Sequence, residues 1–357
     1  TAQQLNLGGS DGNLNARGDL NLNVSQSFHN TGQVNVSGSF GLNTGGDARF
    51  DGAVTTGSGF GVNAGGDIAI NNTVNSGGSI NLNAGNNLQV GDTLTAGGGI
   101  NGTAGGNIAL NGQANSAGSQ NWRAQGDFSA TQGLQGNNVS IQGHNVNVAG
   151  PVLGQGAVTI AATDQLQLGS EVRANGNVTL TSSQGGISAQ DVSSNGSVSL
   201  QSQTHTEVQN VQAGGDISIT ATAGQVTAQS LLAGRDLSLN AQDRIRVAGD
   251  LGAGRHVAVS SSQSDVQLAN ASAGGNLNLS AAQSLQVAGG VSAGGNAALT
   301  SQNAGVSAQS LLANGDIHTQ AAGDIAIAGE VASGGSARLA STGGKVEPID
   351  IFTAEAI

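Results

Sequence analysis

Four of the ten cationic side chains in this 357-residue chain, Arg235, Arg244, Arg246 and Arg255, lie between positions 235 and 255. Guanidinium groups hold sulfate and carboxylate through paired N–H donors, so such a cluster offers anion recognition. A sulfated glycan is the matching ligand class. Asp236, Asp243 and Asp250 lie among the arginines and offer local neutralisation, so a solvated face of mixed charge is the plainer account. The second candidate is Arg17-Gly18-Asp19, which sets a cation and an anion on either side of one glycine. Three residues recur freely by chance. Gly-Asp also returns at Gly46-Asp47, Gly66-Asp67, Gly126-Asp127, Gly215-Asp216 and Gly323-Asp324, where it reads as the turn before a strand.

Other chemistry finds little to work with. The five histidines, His29, His144, His205, His256 and His318, are scattered, and neither an HxxxH pair nor a cysteine accompanies them. Paired carboxylates do not recur at positions that would face each other across a groove. Residues 201–213, with His205 and Glu207, are the least regular stretch and the one place where a bulging loop is expected. The expectation is a non-enzyme, with no cofactor and no bound metal.

Composition narrows the class further. With 60 Gly, no Cys, no Met, no Tyr and one Trp, disorder is the first reading to test. It fails because the apolar residues keep strict register and are mostly β-branched or Leu. The formal net charge of −12 argues against nucleic acid or an anionic membrane as partner. No apolar run approaches the length of a membrane span. The chain opens on Thr1 without a signal-peptide pattern, which suggests a processed or excised piece. Absence of cysteine suits export of an unfolded chain through a narrow pore.

The register has a period of 20. Gly65 to Ala84 reads GGDIAINNTVNSGGSINLNA, and Gly45 to Ala64 follows the same plan. Ala48, Ile68, Leu88, Ile108 and Phe128 form one apolar column; Phe50, Ile70, Val90, Leu110 and Ala130 form another. Val54, Val74, Leu94, Ala114 and Leu134 form a third. Phe40, Phe60, Ile80 and Ile100 begin a fourth, and Leu42, Val62 and Leu82 a fifth. Within a turn, Ile68 and Ile70, and then Ile80 and Leu82, alternate with polar residues at the strand period of two, with Val74 as a short strand between. Asn and Gly clusters fall at the corners, where positive φ is tolerated. Helix is excluded.

One such turn cannot bury its own apolar side chains, whereas stacked turns bury them against each other. The expected fold is all-β: a right-handed parallel β-helix of about 17 turns. At ~4.8 Å per turn it would form a rod about 80 Å long, expected to be monomeric. Asn43, Asn63 and Asn83 share a column suited to an amide ladder. Residues 1–44 are expected to form less regular turns, 45–342 the regular helix, and 343–357 a non-repeat tail acting as cap, linker or appended remnant. A calcium β-roll needs Asp in a nonapeptide; here the period is 20, and Asn86 and Asn107 stand where Asp would be needed.

The turns GGDIAINNTVNSGGSINLNA, LLAGRDLSLNAQDRIRVAGDLGAGRHVAVSS and AQSLLANGDIHTQAAGDIAIAGEVASGGSARLAS resemble filamentous haemagglutinin repeats, over about residues 17–342. The resemblance implies a large exoprotein of two-partner secretion, either an adhesin or a contact-dependent inhibition protein. It implies a Gram-negative parent, location outside the cell or on its surface, and an outer-membrane transporter as partner during export. The NPNL and NPNG motifs of that family's secretion domain are missing, and so is a toxin-like C-terminal domain, which points to a piece of the shaft. The function then expected is a rigid extracellular shaft projecting a binding or effector region. Two alternatives stand beside it: the segment itself binds a host-cell glycan or receptor, or it is the stalk of a contact-dependent inhibition toxin. In an adhesin, Arg17-Gly18-Asp19 would be an integrin ligand.

Overall fold

The fold is taken from a computed structural model that describes residues 5–7 and 12–353. Every regular element among them is a β-strand, and the strands stack in parallel as a β-helix of about seventeen turns. The chain divides into two compact units, Thr1–Gly176 and Asn177–Ile357.

In the first unit a turn has three strands. For the turn beginning at Gly65 they are Ile68–Ile70, Val74–Ser76 and Ile80–Ala84. Ile68, Ile70, Val74, Ile80 and Leu82 point inward and are buried, while Asn75, Asn81 and Asn83 point out. Period-two alternation does this without further instruction, because successive side chains of a strand face opposite ways. Each strand pairs with its equivalents one turn before and one turn after: Ile68 with Ala48 and Leu88, Ile80 with Phe60 and Ile100. The corner glycines answer to the same stacking. A Cβ on Gly65 would run into the Gly45 carbonyl oxygen of the turn below, and one on Gly85 into that of Gly65.

The second unit builds its turns differently. Here the two short strands merge into one of eight or nine residues, such as Val226–Ala233 and Ile245–Ala253, followed by a five-residue strand, such as Leu237–Ala241. The eight- and nine-residue forms alternate through Val266–Ala273, Leu285–Ala293, Val306–Ala313, Ile325–Ser333 and Val346–Thr353. Each change of length leaves a register shift near the middle of the strand, for example between Val247 and Asp250. From Val226 onward the true repeat is therefore a double turn. Serines mark alternate corners of it: the Ser261, Ser301 and Ser341 hydroxyls donate to the carbonyls of Asp243, Gln283 and Gly323 in the turn below, at 2.6, 2.6 and 2.8 Å.

Two sequence expectations change. Residues 201–213 do not bulge. Thr206–Ala213 is a strand in unbroken register with Ile187–Ser194, and Thr206 is wholly buried opposite Ile187. The irregularity is a single missing residue, since Ile187 pairs with Thr206 at a spacing of 19 rather than 20. The corner absorbs the loss. The tail expected to break the pattern instead contributes the strand Val346–Thr353, in which Val346 pairs with Ile325 and Ile351 with Val331. Val346 and Ile351 occupy inward columns and are exposed there. Residues 354–357 lie outside the described residues.

The buried aromatic side chains gather at two places. Phe28, Phe40, Phe50 and Phe60 pack with ring centroids 5.2 to 5.8 Å apart. Further on, Gln120 takes the place of an isoleucine in the Ile80–Ile100 column and is fully buried. It is also fully bonded. Its amide nitrogen donates to the Ala114 and Gln135 carbonyls, both at 2.7 Å, and its oxygen accepts from the Trp122 indole at 3.0 Å. Trp122 needs space below it, and Gly102, its partner in the previous turn, supplies that space. A Cβ on Gly102 would land on the indole ring.

Two outcomes follow for stability. Gly102→Ala should destabilise the first unit by about 1–3 kcal/mol through overpacking, and by less in a Trp122→Leu background; denaturant unfolding of the three variants measures this. Thr319 is buried among Leu299 and Leu339 with its hydroxyl unpartnered. Thr319→Val should therefore stabilise by about 1 kcal/mol, seen as a small rise in calorimetric Tm.

Candidate functional site

The polar side chains of this chain are organised by column. At the corner before the first short strand, Asp47 Oδ1 accepts the backbone N–H of Asp67 at 2.8 Å, and Asp67 that of Asn87 at 2.8 Å. Asn87 does the same for Asn107 at 3.0 Å, and Asn107 for Asp127 at 2.8 Å. At the corner before the five-residue strand of the second unit, Asp216, Asp236, His256, Asn276, Asn296 and Asp316 form an equivalent chain, each accepting the N–H of the next turn at 2.9 to 3.2 Å or, for Asp316, that of Ser336 at 2.8 Å. Acceptor side chains thus satisfy backbone donors that corners leave outside the strand ladders. Much of the excess acid in the composition serves as these acceptors.

Arg17-Gly18-Asp19 belongs to this system. All three residues are exposed at a bend, and Asp19 Oδ1 accepts the Ser39 N–H at 2.7 Å. Its carboxylate is the first member of a corner column.

The arginines separate into two pairs at different corners. Arg235 and Arg255 stand one turn apart where the long strand ends, and Arg244 and Arg246 flank inward Ile245 where the next long strand begins. The strand Leu237–Ala241 lies between the two corners. Arg235 grips Asp216 with two bonds, Nε to Oδ1 at 3.0 Å and an η nitrogen to Oδ2 at 2.5 Å. Arg255 reaches Asp236 at 2.9 Å and Arg244 reaches Asp265 at 3.8 Å. The Arg235 hydrogen bond, followed by the Asp236 N–H, holds the Asp216 carboxyl below its usual range, and Asp216 in turn raises Arg235. Arg246 has no ion-pair partner among the described residues. A polyanion would find paired guanidiniums at the first corner, not a free basic patch.

A cluster that the sequence reading missed lies on the first unit. His29 and Arg49 are partners on adjacent parallel strands, and both bond Asp51, at 2.7 and 2.8 Å, while Asn71 donates to it at 2.6 Å from the following turn. The signal was present in the register: Asn71 stands 20 residues beyond Asp51. Partial burial raises the Asp51 carboxyl, but the hydrogen bonds from His29, Arg49 and Asn71 outweigh it and bring it down to about 2. Nothing in the cluster resembles a nucleophile with a base. Among the described residues no three His, Asp or Glu side chains converge as a metal site.

The expected amide ladder is present in part. Asn43 donates to Asn23 at 3.2 Å and Asn63 to Asn43 at 3.0 Å, and a second ladder joins Asn81, Asn101 and Asn121 at 2.9 and 3.0 Å. Asn83 accepts from the Thr103 hydroxyl at 2.6 Å. Compared with known proteins, the chain matches no family model, no curated protein and no solved structure.

The lowered Asp51 carboxyl sets a pH dependence. Its contribution is fully present above pH 3.8, the ordinary value, and is lost as the pH falls toward 2. Asp51→Asn should remove about 1 kcal/mol of the acid-induced loss between those limits, measured by denaturant unfolding at stepped pH.

Proposed function

We propose that this chain is a rigid shaft segment of a secreted bacterial surface protein, of the filamentous haemagglutinin type exported by two-partner secretion. The observation that carries the reading is the repetition itself: one turn plan, with apolar columns inside and acceptor columns at the corners, across each unit. Such a stack resists bending because every strand is hydrogen-bonded to the turns on both sides. A parent displayed on a Gram-negative cell would use it to hold a binding or effector region away from the membrane. Whether that region is an adhesive tip or a contact-dependent toxin, the shaft does the same work. Export through an outer-membrane transporter fits the same plan, since each emerging turn can fold onto the previous one and no disulfide has to form.

The competing reading, in which Arg17-Gly18-Asp19 or the arginines bind a host ligand, is weakened by the Asp19 corner bond and by the Arg235–Asp216 and Arg255–Asp236 pairs.

The absence of native cysteine makes the test direct. Cysteines introduced at exposed Asn21 and Asn121, and separately at Asn240 and Arg338, carry spin labels for distance measurement by pulsed electron resonance. A shaft gives a single narrow distribution for each pair. Broad distributions, as from a flexible linker, would overturn the reading.

A further inference from the structure

A shallow trough crosses the long strands of the second unit. Its two stretches, of about 410 and 530 Å³, share Val287, Ala288 and Ser307 and so form one continuous groove. It runs between two outward-facing columns. The first is Arg246, Gln267, Gln286, Ser307, Ala326 and Glu347, each the strand partner of the next. The second is Ala248, Ala269, Ala288, Gln309 and Ala328. From Arg246 to Glu347 the groove spans six turns, or roughly 24 Å at the spacing of stacked strands.

The lining selects among ligand classes. Opposite charges close the two ends, and everything between them is neutral, so a polyanion gains one cation and meets one carboxylate. An extended peptide gains no backbone ladder, because the groove crosses strands whose own N–H and C=O groups are already paired along the stack. Alanine methyls beside carboxamides and a hydroxyl suit a ligand with apolar C–H faces and hydroxyl edges. Gln267 and Gln286 each offer two donors and an acceptor to such hydroxyls. The two columns run side by side over several turns, which suits a polymer rather than a single small molecule.

We propose that this trough is a docking groove for a neutral linear polysaccharide laid along the stack. The site is separate from the arginine pairs, and it goes beyond the shaft reading without depending on it.

Calorimetric titration of the full chain with the hexaoses of β-1,4-linked glucose and β-1,4-linked xylose, beside a sulfated hexasaccharide, tests the proposal. At least one neutral hexaose should bind. Gln267→Ala/Gln286→Ala should weaken that binding about tenfold, the loss of two ordinary hydrogen bonds. Ala288→Leu, at an exposed position, should weaken it by filling the groove while keeping the parent's thermal midpoint, and Arg235→Ala/Arg255→Ala should leave it unchanged. The proposal falls if neither neutral hexaose binds, if the sulfated one binds more tightly, or if the groove variants bind as the parent does.

Discussion

A turn of this chain has no structure to keep on its own, because its apolar side chains find cover only in the turns above and below. Everything else is arranged to let those turns sit one strand spacing apart. Inward Ile, Val, Leu and Phe stack in columns. Corner glycines at Gly45, Gly65 and Gly85 allow the backbone to pass over the carbonyl beneath. Asp and Asn at the corners take up the N–H groups that would otherwise face outward unpaired. These are three solutions to one spacing, and each works only if the other two hold.

That constraint also explains where the rule bends. A deletion before Thr206 and the alternation of eight- and nine-residue strands both occur at corners or mid-strand bends, leaving the inward columns intact. Trp122 enters a column of smaller residues because Gly102 makes room and Gln120 accepts its N–H. The stack tolerates changes in turn length and side-chain size as long as the neighbouring turn compensates.

The repeat was legible in the sequence because inward columns accept only a few residue types, so the period of 20 shows as repeated Ile, Val and Leu. The expectation of a parallel β-helix of about seventeen turns rested on that and matches the structure. The columns became hard to follow where a polar residue turned inward: Gln120 continues the Ile80–Ile100 column only because three hydrogen bonds satisfy it. Residues 201–213 looked irregular because a one-residue deletion shifts the register of everything after it, whereas the ladder itself is continuous. The arginines looked like one cluster because proximity in sequence hid the strand between the two corners. Surface chemistry was less legible than the core. Outward positions tolerate many residue types, so the Asp51 cluster and the alanine-lined trough emerge only once turns are laid side by side.

The dependence of each turn on its neighbours has a direct test. Removing residues 65–84 takes out one whole period and brings Phe60 against Ile100 and Val62 against Gly102, with every column preserved. Removing residues 65–75 takes out eleven residues and sets the inward Ala48, Phe50, Val54, Phe60 and Val62 against outward or corner positions, Ser79, Asn81, Gly85, Gly91 and Thr93. Thermal unfolding followed by circular dichroism should show the first variant folded, with a midpoint within a few degrees of the parent, and the second without a cooperative transition for the first unit. Equal disruption by the two deletions, or equal tolerance of both, would contradict the account.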